Sequence, residues 1–351
     1  MAKDKLKIFI RNVYVWLALI GLVCIVLLSA AAMNRTDDRN KRTEDGEHFF
    51  LTYTPGTFSQ IYNDEWRVSP RKISGELSLP PGDGPFPAVI LYHGHYHPED
   101  LEPWFNELVP RLLAANIATF VLDSFTGRNI TNTALFEGRL SRAARVTDVF
   151  QALNLLARFK EIDENRIGIS GYSVGGTTAM LGAELRLNKT SLARGRSFAA
   201  VLTVYPNCQV RLRSHGLTNA PMLILAAEDD TYSPAEFCEE YVEHISSSVE
   251  YDVKIKKYDN TQHGWLNEKA ASDCENCMTF KDCGELYIED DGHEYTLDGS
   301  VSTLFGWQEY IENLHRQCGT IGVIFRTNPE ARQDTLKTTV TFFTEKLAIQ
   351  P

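Results

Sequence analysis

Gly171-Tyr172-Ser173-Val174-Gly175 sets a serine between two glycines, the spacing of a nucleophile exposed on a tight turn. Such a pentapeptide arises by chance in many chains, so its flanks decide what it means. Arg166-Ile167-Gly168-Ile169-Ser170 before it reads as a strand, and Gly176-Thr177-Thr178-Ala179-Met180-Leu181 after it reads as a helix. Strand, sharp turn and helix are what a nucleophile elbow needs. The glycines leave room for a strained turn, and the helix N-terminus behind the serine favours developing negative charge. A Gly-rich loop that merely joins strand to helix is the competing interpretation, and the flanks speak against it.

A serine needs a base, and on such a turn the acid and then the histidine follow later in the chain. Of nine histidines, His263 lies beyond a late strand, in Tyr258-Asp259-Asn260-Thr261-Gln262-His263-Gly264-Trp265, where a loop can bring it over the strand ends. His244 falls inside a predicted helix, and His293 and His315 fall in or near an irregular region. For the acid, Glu228, Asp229 and Asp230 end a strand and compete. Asp230, four residues before Pro234, is chosen to orient the imidazole, and the other two read as solvated loop charges. The oxyanion needs two donors: the backbone N–H of Val174, and that of His95 in Leu91-Tyr92-His93-Gly94-His95-Tyr96-His97, after an early strand. The same stretch admits a metal site on His93, His95 and His97, since clustered imidazoles are common ligands. However, it should be leaving its strand there, and the sequence sets no carboxylate or thiol beside it. No metal or other cofactor is expected.

The elements that must hold these groups follow from the pattern of apolar residues. The chain has 351 residues, 43% hydrophobic and 23% charged, an ordinary globular composition with material for one large core or two small ones. A formal net charge of −11, without a long Lys/Arg block after the first dozen residues, gives a phosphate backbone no electrostatic footprint. Nucleic acid is therefore not an expected partner. Strand patterns cover 49–53 and 71–79, then shorter apolar runs at 87–92, 118–122, 167–169, 199–204, 222–226 and 253–257. Helical spacing covers 101–115, 137–159, 175–186, 234–247 and 329–348. Strand and helix in alternation predict an α/β fold with a mostly parallel central sheet flanked by helices. Residues from about 267 to 320 break this rhythm with four cysteines and the acidic run Glu289-Asp290-Asp291, and read as an insertion before the last helix.

The N-terminus has its own character. Lys3, Lys5, Lys7 and Arg11 precede an uncharged apolar run from Val13 to Met33, long enough for the roughly 20 residues of a spanning helix. An uncleaved signal anchor is the first reading, ahead of a signal peptide cut after Ala30-Ala31-Ala32 and of a buried helix. Residues 34–48 form a polar tether, and 49–351 form the catalytic domain. Arg35, Arg39, Lys41 and Arg42 balance the basic residues before the run, but the short N-terminal tail favours an inside N-terminus. The domain is then expected outside the cytoplasm, periplasmic if the source is bacterial and secreted if the segment is cleaved. Cys24, mid-run, is a weak lipoprotein site. The six later cysteines, an even number, suit disulfides in an oxidising compartment. Cys274-x-x-Cys277 with Cys283 and His293 also admits a zinc knuckle, although its second half is missing.

At these residues the chain resembles the dienelactone hydrolase family of the α/β-hydrolase superfamily, over roughly 65–265 and again in the last helix. Val121-Leu122-Asp123-Ser124-Phe125 with Arg128 is similar to the family's Asp-Ser-Phe segment, and Arg145 to Asp148 resembles its Arg-x-x-Asp helix. Ile162-Asp163-Glu164-Asn165-Arg166-Ile167-Gly168 is similar to the turn before its nucleophile strand. Tyr205-Pro206-Asn207-Cys208 and Cys238 match a branch of the family, which implies that these two cysteines lie close together. Founding members use cysteine where this chain has Ser173, so the resemblance is to a serine branch. It implies an α/β-hydrolase fold and the triad in which Ser173 attacks, His263 relays the proton and Asp230 orients His263, and a carboxylic ester hydrolase is the activity expected first. A small-molecule ester is the expected partner, besides a membrane met through residues 13–33. An amide or peptide hydrolase could use the same residues, and a catalytically silent membrane-tethered interaction protein is the alternative from another class. The sequence leaves the oligomeric state and the role of the insertion open.

Overall fold

Ala88, Ile90 and Tyr92 pack on one side of their strand, Val89 and Leu91 pack on the other, and all five are fully buried. This alternation is the physical signature of a central strand covered on both faces. The structure, a computed structural model, describes residues 43–213, 216–246, 251–268 and 273–348. The apolar run at 13–33 lies outside the described residues, as does Cys24. Among the described residues no helix is long and apolar enough to cross a membrane.

Eight strands form the main sheet: β1 (Gly46–Thr52), β2 (Arg71–Ser78), β3 (Phe86–Tyr92), β4 (Ala118–Asp123), β5 (Ile162–Tyr172), β6 (Val201–Val204), β8 (Met222–Ala227) and β9 (Val253–Tyr258). Their spatial order is β1-β2-β4-β3-β5-β6-β8-β9. β2 runs antiparallel to both β1 and β4, and every later pair in the sheet is parallel. Helices cover both faces. α2 (Glu102–Ala114) and α8 (Pro329–Lys346) bury Trp104, Leu108, Leu112 and Phe343 on the Val89 side. α3 (Arg142–Leu156) and α4 (Val174–Gly182) fill the Ile90 side, with the short α1 (Phe58–Tyr62) at its margin. Each fully buried aliphatic or phenyl side chain contributes roughly 1.5–3 kcal/mol. This is an α/β-hydrolase-like architecture with a mainly parallel sheet.

β1 begins at Gly46, inside the polar stretch 34–48. Gly46, Glu47 and His48 already pair with Leu77, Glu76 and Gly75, and Asp45 Oδ1 accepts the Leu79 N–H at 2.8 Å. Polar side chains on an exposed edge strand had the look of a linker. The insertion is built of short strands and one helix, and its strand pairing reaches past residue 320. After the short α5 (Leu185–Asn188), β7 (Val210–Leu212) leaves the main sheet and pairs in parallel with β11 (Leu286–Ile288), which pairs with β12 (Glu294–Thr296). β10 (Cys274–Thr279) pairs with β13 (Thr320–Val323), and α7 (Trp307–Gln317) lies between β12 and β13. These strands are three to six residues long, too short for a period to show in the sequence.

Disulfides join Cys208 to Cys238, Cys274 to Cys277 and Cys283 to Cys318. The first ties the loop after β6 to α6 (Ala235–Ser246), the proximity that the family resemblance implied. A zinc knuckle on Cys274, Cys277 and Cys283 would need three free thiolates, and all three sulfurs are bonded elsewhere.

Candidate active site

Ser173 follows β5 directly and caps α4, with φ 56° and ψ −125°, a conformation that costs a non-glycine residue about 1–3 kcal/mol. Its neighbours enforce that turn. A Cβ at Gly171 would meet Gly175 O at 2.0 Å, and one at Gly175 would meet His93 O at 2.3 Å. The two glycines are thus required by backbone packing, and the turn lifts Ser173 above the C-terminal ends of the parallel strands.

Two other C-terminal strand ends bring the partners. Asp230 follows β8 and His263 follows β9. His263 Nε2 lies 3.0 Å from Ser173 Oγ, and its Nδ1 lies 2.7 Å from Asp230 Oδ2. The carboxylate accepts, so Nδ1 carries the proton and Nε2 is left to receive one from Ser173. Asp230 Oδ1 is itself held by the N–H groups of Tyr232 and Ser233, at 2.7 and 2.9 Å. Tyr205, Tyr232 and Phe325 pack around the imidazole with centroids 4.7, 4.8 and 5.7 Å away. All three polar residues are at least nine-tenths buried, which strengthens their mutual attraction. Glu228 and Asp229 stay exposed, and Glu228 pairs with Lys257 at 2.9 Å.

The two amides expected at the oxyanion site, those of His95 and Val174, belong to segments that abut Ser173. Among the described residues neither has a backbone or side-chain acceptor. The His95 imidazole is engaged at both nitrogens, its Nδ1 2.8 Å from Thr133 Oγ1 and its Nε2 3.3 Å from Glu137 Oε1. Burial pushes the His95 pKa down. Burial also pushes the Glu137 carboxyl up, but His95, Arg142 and Arg145 outweigh it and hold that carboxyl below its usual range. His93 contacts Gly94 O and Ser124 N, while His97 contacts Thr126 and Asp123. The three imidazoles therefore serve three separate sets of partners and do not converge on a metal. Among the described residues no group of three His, Cys, Asp or Glu side chains is arranged to hold one.

In front of Ser173 opens a cavity of about 800 Å³. Tyr96, Trp104, Leu135, Tyr205, Tyr232 and Phe325 line it, and Asp100, Glu268, Asp273 and Glu275 stand among its other wall residues. The insertion supplies one wall through Cys274, Glu275 and Asn276, and Tyr96 Oη lies 3.5 Å from Cys277 Sγ. Sequence reasoning did not anticipate Thr133, Glu137 or this wall. Their link to the site runs through contacts between distant parts of the chain, which leave no local signature.

Residues 102–282 match the model of the family described as the dienelactone hydrolase family. The curated protein usf of Aquifex pyrophilus is 22% identical over 215 residues, which span 59% of this chain and 87% of that protein. A dienelactone hydrolase-like promiscuous phosphotriesterase from metagenomic libraries is 13% identical, with 86% of this chain and 98% of the other covered at a TM-score of 0.49. A structure described as a dienelactone hydrolase of Klebsiella pneumoniae, its function assigned only provisionally, is also 13% identical, with coverage of 86% and 100% and the same TM-score, 0.49. A thermophilic esterase of Thermogutta terrifontis is 16% identical, with coverage of 61% and 86% and a TM-score of 0.44.

Proposed function

The chain belongs to the dienelactone hydrolase family, and on that premise we propose that it is a serine hydrolase acting on carboxylic esters of small molecules. The observation that carries this reading is the hydrogen-bonded series from Ser173 Oγ through His263 to Asp230. In the first half-reaction Ser173 Oγ attacks the ester carbonyl as its proton passes to His263 Nε2. Asp230 stabilises the imidazolium, and the N–H groups of His95 and Val174 receive the oxyanion. Collapse expels the alcohol, which takes the proton from His263, and leaves an acyl-enzyme. Water, deprotonated by His263, then attacks the acyl carbon and frees Ser173.

A fluorophosphonate probe tests the nucleophile. Labelling of the wild type and none of Ser173→Ala is expected; labelling of neither would favour a catalytically silent interaction protein. Short- and long-chain aryl esters tested beside peptide amides then fix the bond. Faster turnover of amides than of matched esters would move the assignment to a peptide or amide hydrolase.

The proposal extends to place. Residues 13–33 anchor the chain in a membrane, with the catalytic domain on the extracytoplasmic side. Support comes from three disulfides, which persist in oxidising compartments. Alkylation of protein taken directly from cells, before and after reduction, reads this out: reaction of all six cysteines beyond residue 33 before reduction would overturn the location.

A further inference from the structure

We propose that His93 is a positioning residue whose ring aims the main-chain N–H of His95 at the oxyanion site beside Ser173. This rests on the serine-hydrolase reading above and assigns one device within it. His93 is fully buried, with Phe125 packed at a ring-centroid distance of 4.4 Å. Both of its nitrogens are engaged. The Ser124 N–H donates to Nε2 at 3.3 Å, and Nδ1 lies 3.0 Å from the Gly94 carbonyl oxygen. A backbone amide can only donate, so Nε2 must present its lone pair. The neutral ring then carries its proton on Nδ1 and donates it to Gly94 O. Burial, with the nearby Arg145 charge, lowers the His93 pKa to about 3, so the ring holds this state at neutral pH.

The Gly94 carbonyl and the His95 N–H belong to one planar trans peptide and point in opposite directions. Holding the carbonyl on His93 therefore fixes where the N–H points. That peptide lies against the nucleophile: a Cβ added at Gly94 would stand 3.2 Å from Ser173 Cβ and 3.1 Å from Tyr172 O. From its far side the segment is held by Thr133, whose N–H donates to His95 O at 2.8 Å. His93 thus touches no reacting atom and acts through the peptide beside it.

His93→Phe keeps a ring in the site and removes both nitrogens. Loss of one aligned oxyanion donor lowers kcat by about 10²-fold, and KM for an aryl ester should stay within about threefold. Affinity for an aryl trifluoromethyl ketone, whose adduct with Ser173 places an oxyanion in the same site, should fall by the same factor as kcat. His93→Asn, which offers an amide N–H to Gly94 O from the place of Nδ1, should recover at least about tenfold of that loss. A folded His93→Phe protein with kcat within about threefold of wild type overturns the proposal. So does a fall in kcat that the ketone affinity does not follow. Should His93→Phe fail to fold, long-range 1H–15N spectra of histidine-labelled wild type decide: an Nδ1-protonated neutral ring at neutral pH is expected, and an Nε2-protonated or charged ring rejects it. A wild type that fluorophosphonate does not label sinks the serine-hydrolase reading and this proposal together. A wild type that labels, beside a fully active His93→Phe, sinks this proposal alone.

Discussion

The nucleophile turn and the insertion bound the same cavity and are built by opposite means. Around Ser173 the geometry is set by backbone: a strand end, a glycine on either side and the first turn of α4. The insertion is fixed by side chains meeting across long stretches of sequence. Arg142 pairs with Glu294, 152 residues away, in full burial, and Trp307 Nε1 donates to Glu137 O at 3.0 Å, 170 residues away. Glu137 in turn reaches His95. The insertion therefore braces the oxyanion segment from behind while walling the cavity in front. The difference separates two kinds of dependence: chemistry that fails when one atom is removed, and placement that fails when a distant contact is removed.

Ser173→Ala should sharpen that division most. Loss of the Oγ lowers kcat/KM on an aryl ester by roughly 10⁴–10⁶-fold, with the thermal midpoint of unfolding nearly unchanged. A large fall in the midpoint would show that the turn is structural as well. On the other side, Glu294→Ala leaves a buried guanidinium without its partner, at a cost of about 3–5 kcal/mol in denaturant unfolding. A loss under about 1 kcal/mol would mean that solvent reaches Arg142 and that the bracing is weak. Replacing Cys283 and Cys318 by serine together opens a closure between residues 35 apart and should cost about 2–4 kcal/mol. Cys274→Ser with Cys277→Ser opens a closure of only three residues' separation, so about 2 kcal/mol or less is expected. The readout there is KM, which should shift severalfold because the loop forms part of the cavity wall. An unchanged KM across varied acyl chains would remove the loop from substrate contact.

The smallest effect concerns pH. His93 has its folded pKa depressed to about 3, so between that value and its ordinary 6.5 the unfolded chain binds a proton that the folded chain does not. Its contribution is fully present above 6.5 and is lost as pH falls toward 3, by at most about 1.4 kcal/mol per pH unit. Unfolding free energies at pH 7, 6 and 5 should fall more gently for His93→Asn than for wild type. Parallel slopes would contradict a buried neutral ring.

Legibility in the sequence follows the same division. β3, β4 and β8 begin and end within a residue of their predicted ranges, because central strands buried on both faces show as unbroken apolar runs. Ser173, Asp230 and His263 were each legible from position, since each follows a strand that the sheet places near the others. By contrast, nothing near Glu137 or Glu294 announces a role. Glu294 lies among acidic surface residues in sequence, and only the fold carries it to Arg142. α3 shows the limit best. Its polar residues Arg142, Arg145, Asp148, Gln151 and Asn154 suggest a solvated face, yet all of its residues are buried. Arg128 closes over Asp148 at 2.8 Å, and the insertion covers Arg142.

That wholly buried helix bears on how the insertion relates to the rest of the chain. An accessory module can be removed and leave a surface suited to water. Removing this one would strip cover from Arg142 and release the Glu137 carbonyl from Trp307. A form of this chain cut free of the insertion is therefore expected to need solvent-suited residues on the outer face of its third helix.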